Sequence, residues 1–428
     1  MRSKRRNLIR IIAIVAVLTL ILTSCDGRED SSSQGKKTLT VFTMDKLVFE
    51  PIMEFTNYNP HWGIEIEEGL DDLDNASDGI KKLNAELFSG KGPDIIIMDE
   101  LNADKYIEAG LLEDITDIVE DVNGVSEKII DNQRVDGAIY TMPMGFNLIL
   151  DTASPDLNVS FKDFTSFIGS LNQKKCKLDT WYPNMAGIWY RTELADKISA
   201  DEKIHVNKLK GFYKNLASLH EYTGNDPYNI YFWYENFRAI SLSTLQCFDA
   251  SRYVFDGENE TEINVARDYI GNIVDLQLAY QFQRDGLLEL SIFKDSSGYR
   301  YVPRYILAVN KNAENKDAAL ECIKYMLQDG QGYMMSALMF PVNIDILTDT
   351  IIESSDTRLN MKKLECMTDE EKREIVYSVS NLGNDIKTDI YAMEIVMKGS
   401  EEFLSGNADI STACEKTMDK LKIYYAEG

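Results

Sequence analysis

Residues 94–98 read Asp-Ile-Ile-Ile-Met, one acid and then an unbroken apolar run, entered through Ser89-Gly-Lys-Gly-Pro93. A strand with one wet face alternates polar and apolar residues, because successive side chains point to opposite faces. A run apolar on both faces and bounded by turn formers fits a strand covered on both sides, the setting of a parallel sheet. The flanks agree. Gly79–Phe88 places Ile80, Leu83 and Leu87 at helical spacing, and Ala103–Ala109 predicts a short helix with Gly110 as its left-handed end. Upstream, Thr38–Phe42 alternates as a first strand and Pro51–Tyr58 predicts a helix. Strand and helix therefore alternate, which predicts an α/β lobe.

Farther along, helical patterns dominate Ser160–Tyr222. In residues 264–280, Val265, Tyr269, Ile273, Leu276 and Tyr280 recur at steps of three and four, which predicts one amphipathic helix. Tyr305–Val309 is a late β run. Directly after it, Lys316–Gln328 sets Ala319, Ile323, Met326 and Leu327 on one helix face, with Gly330 beyond its end. Cys322 lies in that apolar stripe, as a small core residue. The tail from Lys387 to Tyr425 is helical with a break at Ser405-Gly-Asn407, and no internal repeat is present.

The amino terminus has a different logic. Arg2, Lys4, Arg5, Arg6 and Arg10 precede Ile11–Leu22, which carries no charge. A basic head and an apolar run too short for a comfortable bilayer span, which takes about 20 residues, describe an export signal. Arg5-Arg6-Asn-Leu-Ile9 also resembles a twin-arginine signal. Leu22-Thr-Ser-Cys25 resembles the lipobox of bacterial lipoproteins. That resemblance implies cleavage before Cys25, lipidation of its thiol with palmitate among the acyl chains, and a membrane-anchored protein on the extracytoplasmic face of a bacterium. Residues 1–24 are then signal peptide. Residues 25–37, polar and Ser/Gly-containing, are the lipidated cysteine and a flexible tether.

Asp and Glu number 70 against 45 Lys and Arg, a net charge of −25. Such a surface repels nucleic acid and anionic lipid heads, so a nucleic-acid partner is not expected and membrane contact falls to the lipid. Beyond Cys25 stand Cys176, Cys247, Cys322, Cys366 and Cys414, with no CxxC knuckle among them. No metal site and no cofactor is expected on this ground. Only His61, His205 and His220 exist, and none forms an HExxH pair. Neither a Gly-x-Ser-x-Gly elbow nor a phosphate-binding loop appears. An enzyme would have to hide a carboxylate pair among the many acids, as a glycosidase does, so the chain is expected not to be an enzyme.

The order of segments carries a resemblance. GKGPDIIIMDELNADKYIEAGLLEDIT (90–116) resembles the extracellular solute-binding proteins of ABC importers, of the maltose-binding, sugar-oriented type. Tyr140-Thr-Met-Pro143 is similar to their Tyr-x-x-Pro strand, where the chain first crosses between lobes. YILAVNKNAENKDAALECIKYMLQDGQGYM (305–334) is similar to their return strand and the helix with its Gly-Gln end, and Pro341-Val-Asn343 to the segment after that helix. EEFLSGNADISTACEKTMDKLKIYY (401–425) is similar to the final helical pair. Residues 150–260 depart from the pattern, and Leu148–Thr152 stands where a Tyr-Asn-Lys segment is usual.

This resemblance implies an α/β, two-lobe periplasmic-binding-protein-like fold, with parallel-rich sheets flanked by helices and a cleft between the lobes. Lobe 1 is expected from 38–145 and 288–342, and lobe 2 from 146–287 and 343–428. Capture of a small solute by hinge closure and delivery to ABC permease subunits are further expectations, with a carbohydrate as the first ligand class. A polyamine or other solute, or a surface-anchored carbohydrate-active enzyme, is the alternative. The protein is expected to work as a monomer. Ligands of open α/β sheets lie at the carboxyl ends of strands, which selects Thr43, Met44, Asp45, Asp99 and Glu100. Tyr140 joins them at the crossing. In the divergent middle, Trp181 and Trp233 are the aromatic candidates, since Trp offers a broad face and a polar handle to a sugar ring.

Overall fold

The computed structural model describes residues 37–44, 50–69, 76–99, 101–155, 157–174, 182–195, 206–222, 265–335, 338–359, 362–387 and 389–426. Its first elements are β1 (Lys37–Thr43), α1 (Glu50–Tyr58), β2 (Trp62–Glu68), α2 (Ala76–Phe88) and β3 (Ile95–Ile97). Strands β1 and β3 pair in parallel, Val41 beside Ile95 and Phe42 beside Ile96. Alternation then divides their side chains between two cores. Leu39, Val41, Ile95 and Ile97 enter one with Phe55 of α1. Phe42, Met44, Ile96 and Met98 enter the other with Leu83 and Leu87 of α2. That is why the Ile run has no polar member. The turn before it uses Gly90 at φ 72° and Gly92 at φ 99°, a region where a Cβ is penalised. Asp94 closes the turn, accepting from Thr40 N and Oγ1 and from the backbone and side chain of Asn315.

Helix α3 (Ala103–Glu108) ends at Gly110, φ 67°, before α4 (Thr116–Glu120), α5 (Glu127–Asn132), β4 (Arg134–Val135) and β5 (Ala138–Ile139). Next comes β6 (Met142–Ala153), 12 residues long and buried throughout. Helices α6 (Phe164–Lys174), α7 (Tyr182–Glu193) and α8 (Val206–Tyr222) fill the region where helical patterns dominate. Trp189 and Tyr190 of α7 are core residues, 0% and 1% exposed, and Trp189 stacks on Phe164 at 5.0 Å.

Residues 264–280 are not one helix. Val265–Ile270 is strand β7, and α9 runs from Ile273 to Arg284. The apolar spacing belongs to two elements: β7 lies against β6 from Leu148–Ile270 to Ala153–Val265. Gly271 breaks the chain there, and Asn272 caps α9 by accepting from Asp275 N. Sheet pairing outweighed the helical period.

Strands β8 (Glu289–Ile292), β9 (Lys294–Asp295) and β10 (Gly298–Val309) precede α10 (Lys316–Leu327), β11 (Phe340–Pro341) and α11 (Ile344–Glu353). The hairpin β12 (Thr357–Leu359) and β13 (Lys362–Leu364), helix α12 (Asp369–Ser380), β14 (Leu382–Asp385), α13 (Ile390–Leu404) and α14 (Ile410–Ala426) come last. Among the described residues one sheet joins β11, β6, β10, β3, β1 and β2 in that order. Parallel register holds β1 to β3 and β10 to β14, while the two long strands, β6 and β10, run antiparallel. Both change partners along their length. The carboxyl half of β10 pairs with β3, its amino half with β9 and β14. The far half of β6 takes β7 and β8.

Gln331 ties this crossing to the chain beyond α10. It is fully buried, donates from Nε2 to Met144 O and Met326 O, and accepts from Asn343 N. Asn343 in turn caps α11 through Ile346 N. The Gly-Gln and Pro-Val-Asn segments are thus one hydrogen-bonded knot behind β6.

Candidate functional site

The β6–β10 ladder is regular except in the backbone of one residue. Arg304 lies opposite Gly145 and Ile306 opposite Pro143, so the register runs unbroken past Tyr305, which nevertheless stands at φ 53°. A bulky residue in the left-handed region is strained and persists only where its surroundings over-determine it. Asp99, two residues past β3, supplies this: Oδ1 accepts from Tyr305 N at 2.9 Å and Oδ2 from Ile306 N at 2.7 Å. Met98 N also donates to Ile306 O. The Tyr305 ring is buried, and its hydroxyl accepts from Ile52 N near the start of α1 at 3.2 Å. Burial pushes that phenol well above its usual range. Tyr305 therefore joins the carboxyl end of β3, the start of α1 and the crossing strand.

Arg304, next in line, has a side chain only 14% exposed, with Nε 3.5 Å from Asp99 Oδ1. Its Nε has no hydrogen-bond partner among the described residues.

A second meeting point lies beside the first. Asn102, just before α3, donates from Nδ2 to Asp389 Oδ2 at 3.2 Å. Asp389 caps α13 by accepting from Ala392 N, and Tyr424 near the end of α14 donates its hydroxyl to the same carboxylate at 3.0 Å. Lys105 donates to Tyr424 O at 2.9 Å and sits 3.7 Å above the Tyr424 ring. The Tyr391 and Tyr425 rings flank Tyr424 at 4.8 and 5.0 Å. Burial raises the Asp389 carboxyl above the usual carboxylate range, against the lowering effect of Ala392 N, Tyr424, Asn102 and Lys105. The same burial, with Asp389 nearby, raises the Tyr424 phenol. Helix α3 thus meets the ends of α13 and α14 through polar groups and aromatic faces.

The sequence candidates do not all gather at one point. Asp99 stands beside Tyr305 and is half-buried. Thr43 and Met44 are buried at the end of β1, and Met44 packs in the second core. Tyr140 is half-buried against that same core, just before β6. Asp45, Glu100, Trp181, Trp233 and Cys25 lie outside the described residues, as do Cys176 and Cys247. Of the remaining cysteines, Cys322, Cys366 and Cys414 are unpaired among the described residues, and Cys322 is buried as its helical stripe required. Sequence reasoning missed Asn102, Lys105, Arg304, Asp389 and Tyr424. Only two left a signal: Asp389 as a cap before an apolar helix, and Tyr424-Tyr425 as paired aromatics at a helix end.

Solved structures with this fold are two-lobe binding proteins. The maltose-bound T. maritima MalE3 is similar with a TM-score of 0.56 and 13% identity, over 90% of this chain and 99% of that one. The ABC transporter associated binding protein from B. animalis subsp. lactis Bl-04, in complex with β-1,6-galactobiose, gives 0.55 and 13% over 91% and 98%. A Streptococcus pneumoniae solute-binding protein in complex with the blood group A-trisaccharide gives 0.52 and 15% over 90% and 100%. The likeness is one of fold, and the chain has this two-lobe α/β architecture. No family model and no curated protein sequence matches the chain.

Proposed function

We propose that this chain is a membrane-tethered solute-binding protein that captures a carbohydrate by closing two lobes and hands it, unaltered, to the permease subunits of an ABC importer. The observation that carries the reading is the β6–β10 crossing, where the left-handed Tyr305 is pinned by Asp99. Two long antiparallel strands shared by both halves, with one left-handed residue between the halves, form a place about which lobes can rotate. Capture needs no bond chemistry, only a closed state that binds the solute better than the open one. The fold neighbours bind maltose, β-1,6-galactobiose and the blood group A-trisaccharide, which supports a saccharide for this chain too.

In this reading lobe 1 comprises residues 38–145 and 288–342, and lobe 2 residues 146–287 and 343–428. The residues assigned to ligand contact in this reading are Met44, Asp45, Asp99, Glu100, Tyr140, Trp181 and Trp233. Cys25 carries the lipid that holds the monomeric body at the outer face of the membrane. No helix of the described residues is long and apolar enough to cross a membrane.

Thermal shift of the whole protein in mild detergent, against maltose, β-1,6-galactobiose, the blood group A-trisaccharide and spermidine, tests the reading. A ligand that binds only the folded state raises its Tm. A rise with a saccharide, and recovery of that saccharide unchanged, is the expected result. A rise with spermidine alone, or turnover of a saccharide, overturns it.

A further inference from the structure

We infer that Arg304 is a ligand-reading residue, and that its guanidinium selects an uncharged saccharide by gripping a pair of adjacent oxygens. The inference rests on the carbohydrate-capture reading and names a contact and a charge class for its site.

Three other enclosed arginines of this chain have acceptors. Arg267 gives Nε and Nη2 to the Asp151 carboxylate and a further bond to Phe161 O. Arg300 gives Nε to Asn384 O, Nη1 to Asp295 and Nη2 to Asp385 O. Arg191, 4% exposed, donates to the Tyr269 hydroxyl. Arg304 differs from all three. Its side chain is nearly as enclosed, yet among the described residues it makes no hydrogen bond and has one charged neighbour, Asp99. An enclosed donor without an acceptor is disfavoured and calls for an explanation.

Position supplies one. Arg304 stands on the crossing strand opposite Gly145, beside the left-handed Tyr305. Its neighbour Asp99 lies just past the carboxyl end of β3, where ligands of open α/β sheets bind. A Cβ on Gly145 would stand 2.7 Å from Met339 Cγ, so an apolar side chain fills the space over the facing residue. A planar guanidinium presents five N–H groups in a fixed fork that fits two neighbouring oxygens at once.

Charge decides which oxygens. Asp99 spends one lone pair of each oxygen on Tyr305 N and Ile306 N, and its negative charge faces Arg304 at 3.5 Å. The pair is therefore close to neutral as a unit, while its N–H donors remain unspent. A site with donors and no net charge suits the hydroxyl or ring oxygens of a neutral sugar. A carboxylate or phosphate would instead leave Asp99 as an uncompensated like charge beside it.

The test uses isothermal calorimetry on the whole protein in mild detergent. The probes are maltose, cellobiose, β-1,6-galactobiose and the blood group A-trisaccharide as uncharged saccharides, and digalacturonate as an acidic one. The variants are Arg304→Gln and Arg304→Lys. Lysine keeps the positive charge facing Asp99 but loses the fork, so a purely charge-balancing role predicts wild-type affinity and Tm for it. Ligand reading predicts that Arg304→Lys keeps the wild-type Tm while binding of the neutral probe weakens roughly ten- to hundredfold. A neutral saccharide bound equally well by both variants overturns the inference and leaves carbohydrate capture standing. Preference for digalacturonate over every neutral probe also overturns it. Failure of all five saccharides to bind overturns the carbohydrate reading, and this inference with it.

Discussion

Asp99 holds Tyr305 in the left-handed region: its Oδ1 lies 2.9 Å from Tyr305 N, and the residue it restrains has φ 53° in the middle of an otherwise extended strand. The carboxylate thus spends its acceptors on backbone that belongs to the crossing between the two halves of the sheet. Asp99→Ala leaves two enclosed N–H groups without acceptors and is expected to cost about 1–3 kcal/mol for each N–H left unpaired. Tyr305→Phe keeps the ring and removes only the acceptor for Ile52 N, at about 1 kcal/mol. Urea unfolding tracked by circular dichroism measures both. A smaller loss in Asp99→Ala than in Tyr305→Phe would show that the carboxylate does not restrain Tyr305.

Asp389 should give the protein a pH signature. Burial raises its pKa above the ordinary 3.8, so the folded state holds that proton more firmly than the unfolded chain does. The resulting stability is fully present below the ordinary value and is lost as pH rises through the raised one. Asp389→Asn removes this dependence. As pH falls from neutral to about 4, the wild type should gain stability relative to the variant. Tm of the two proteins across that range checks the sign, and a widening gap in the other direction would mean that Asp389 is held ionised.

Arg267 and Asp151 form an enclosed pair, with Nε 2.6 Å from Oδ1 and side chains 1% and 5% exposed. The guanidinium also lies near the Trp189 and Phe293 rings, at 4.2 and 4.3 Å from their centres. Asp151→Ala strands a buried positive charge and is expected to cost about 3–5 kcal/mol. Replacing both residues, Arg267→Met with Asp151→Leu, removes the stranded charge and should cost less than the single change. Chemical denaturation of the three proteins gives the comparison. A double variant no more stable than Asp151→Ala would place the loss in packing.

Cys25→Ala should abolish lipidation, leaving the chain released or held as uncleaved precursor. Fractionation of cells labelled with palmitate reads this directly. A variant that stays membrane-bound at mature size would refute the lipobox.

Gly271 sits where β7 turns into α9, and a Cβ there would stand 2.1 Å from Asn147 Nδ2 and 2.3 Å from Leu338 O. Because Leu338 O and Asn147 hold the loop after α10 against β6, Gly271→Ala must push backbone aside. A loss of about 1–3 kcal/mol is expected, read as a fall in Tm. An unchanged Tm would show that the loop yields freely.

The amino-acid sequence by itself determined the local elements and the two-sided burial of the first sheet. The Ile95–Ile97 run, the glycines at 90, 92, 110 and 406, and the stripe of α10 act through neighbours within a few residues, so periodicity and turn chemistry reveal them. Tertiary structure decided the rest. Val265–Ile270 is a strand because β6 lies beside it, a fact no helical count over 264–280 can contain. Asp99 restrains Tyr305 across 206 residues of chain, and Asn102 reaches Asp389 across 287. A side chain's partner is set by which elements the sheet brings together, whereas its residue type states only that it needs one. Arg304 was invisible for that reason. Its meaning comes from being enclosed yet unbonded beside Asp99, a property of the assembled crossing and of no stretch of sequence around it.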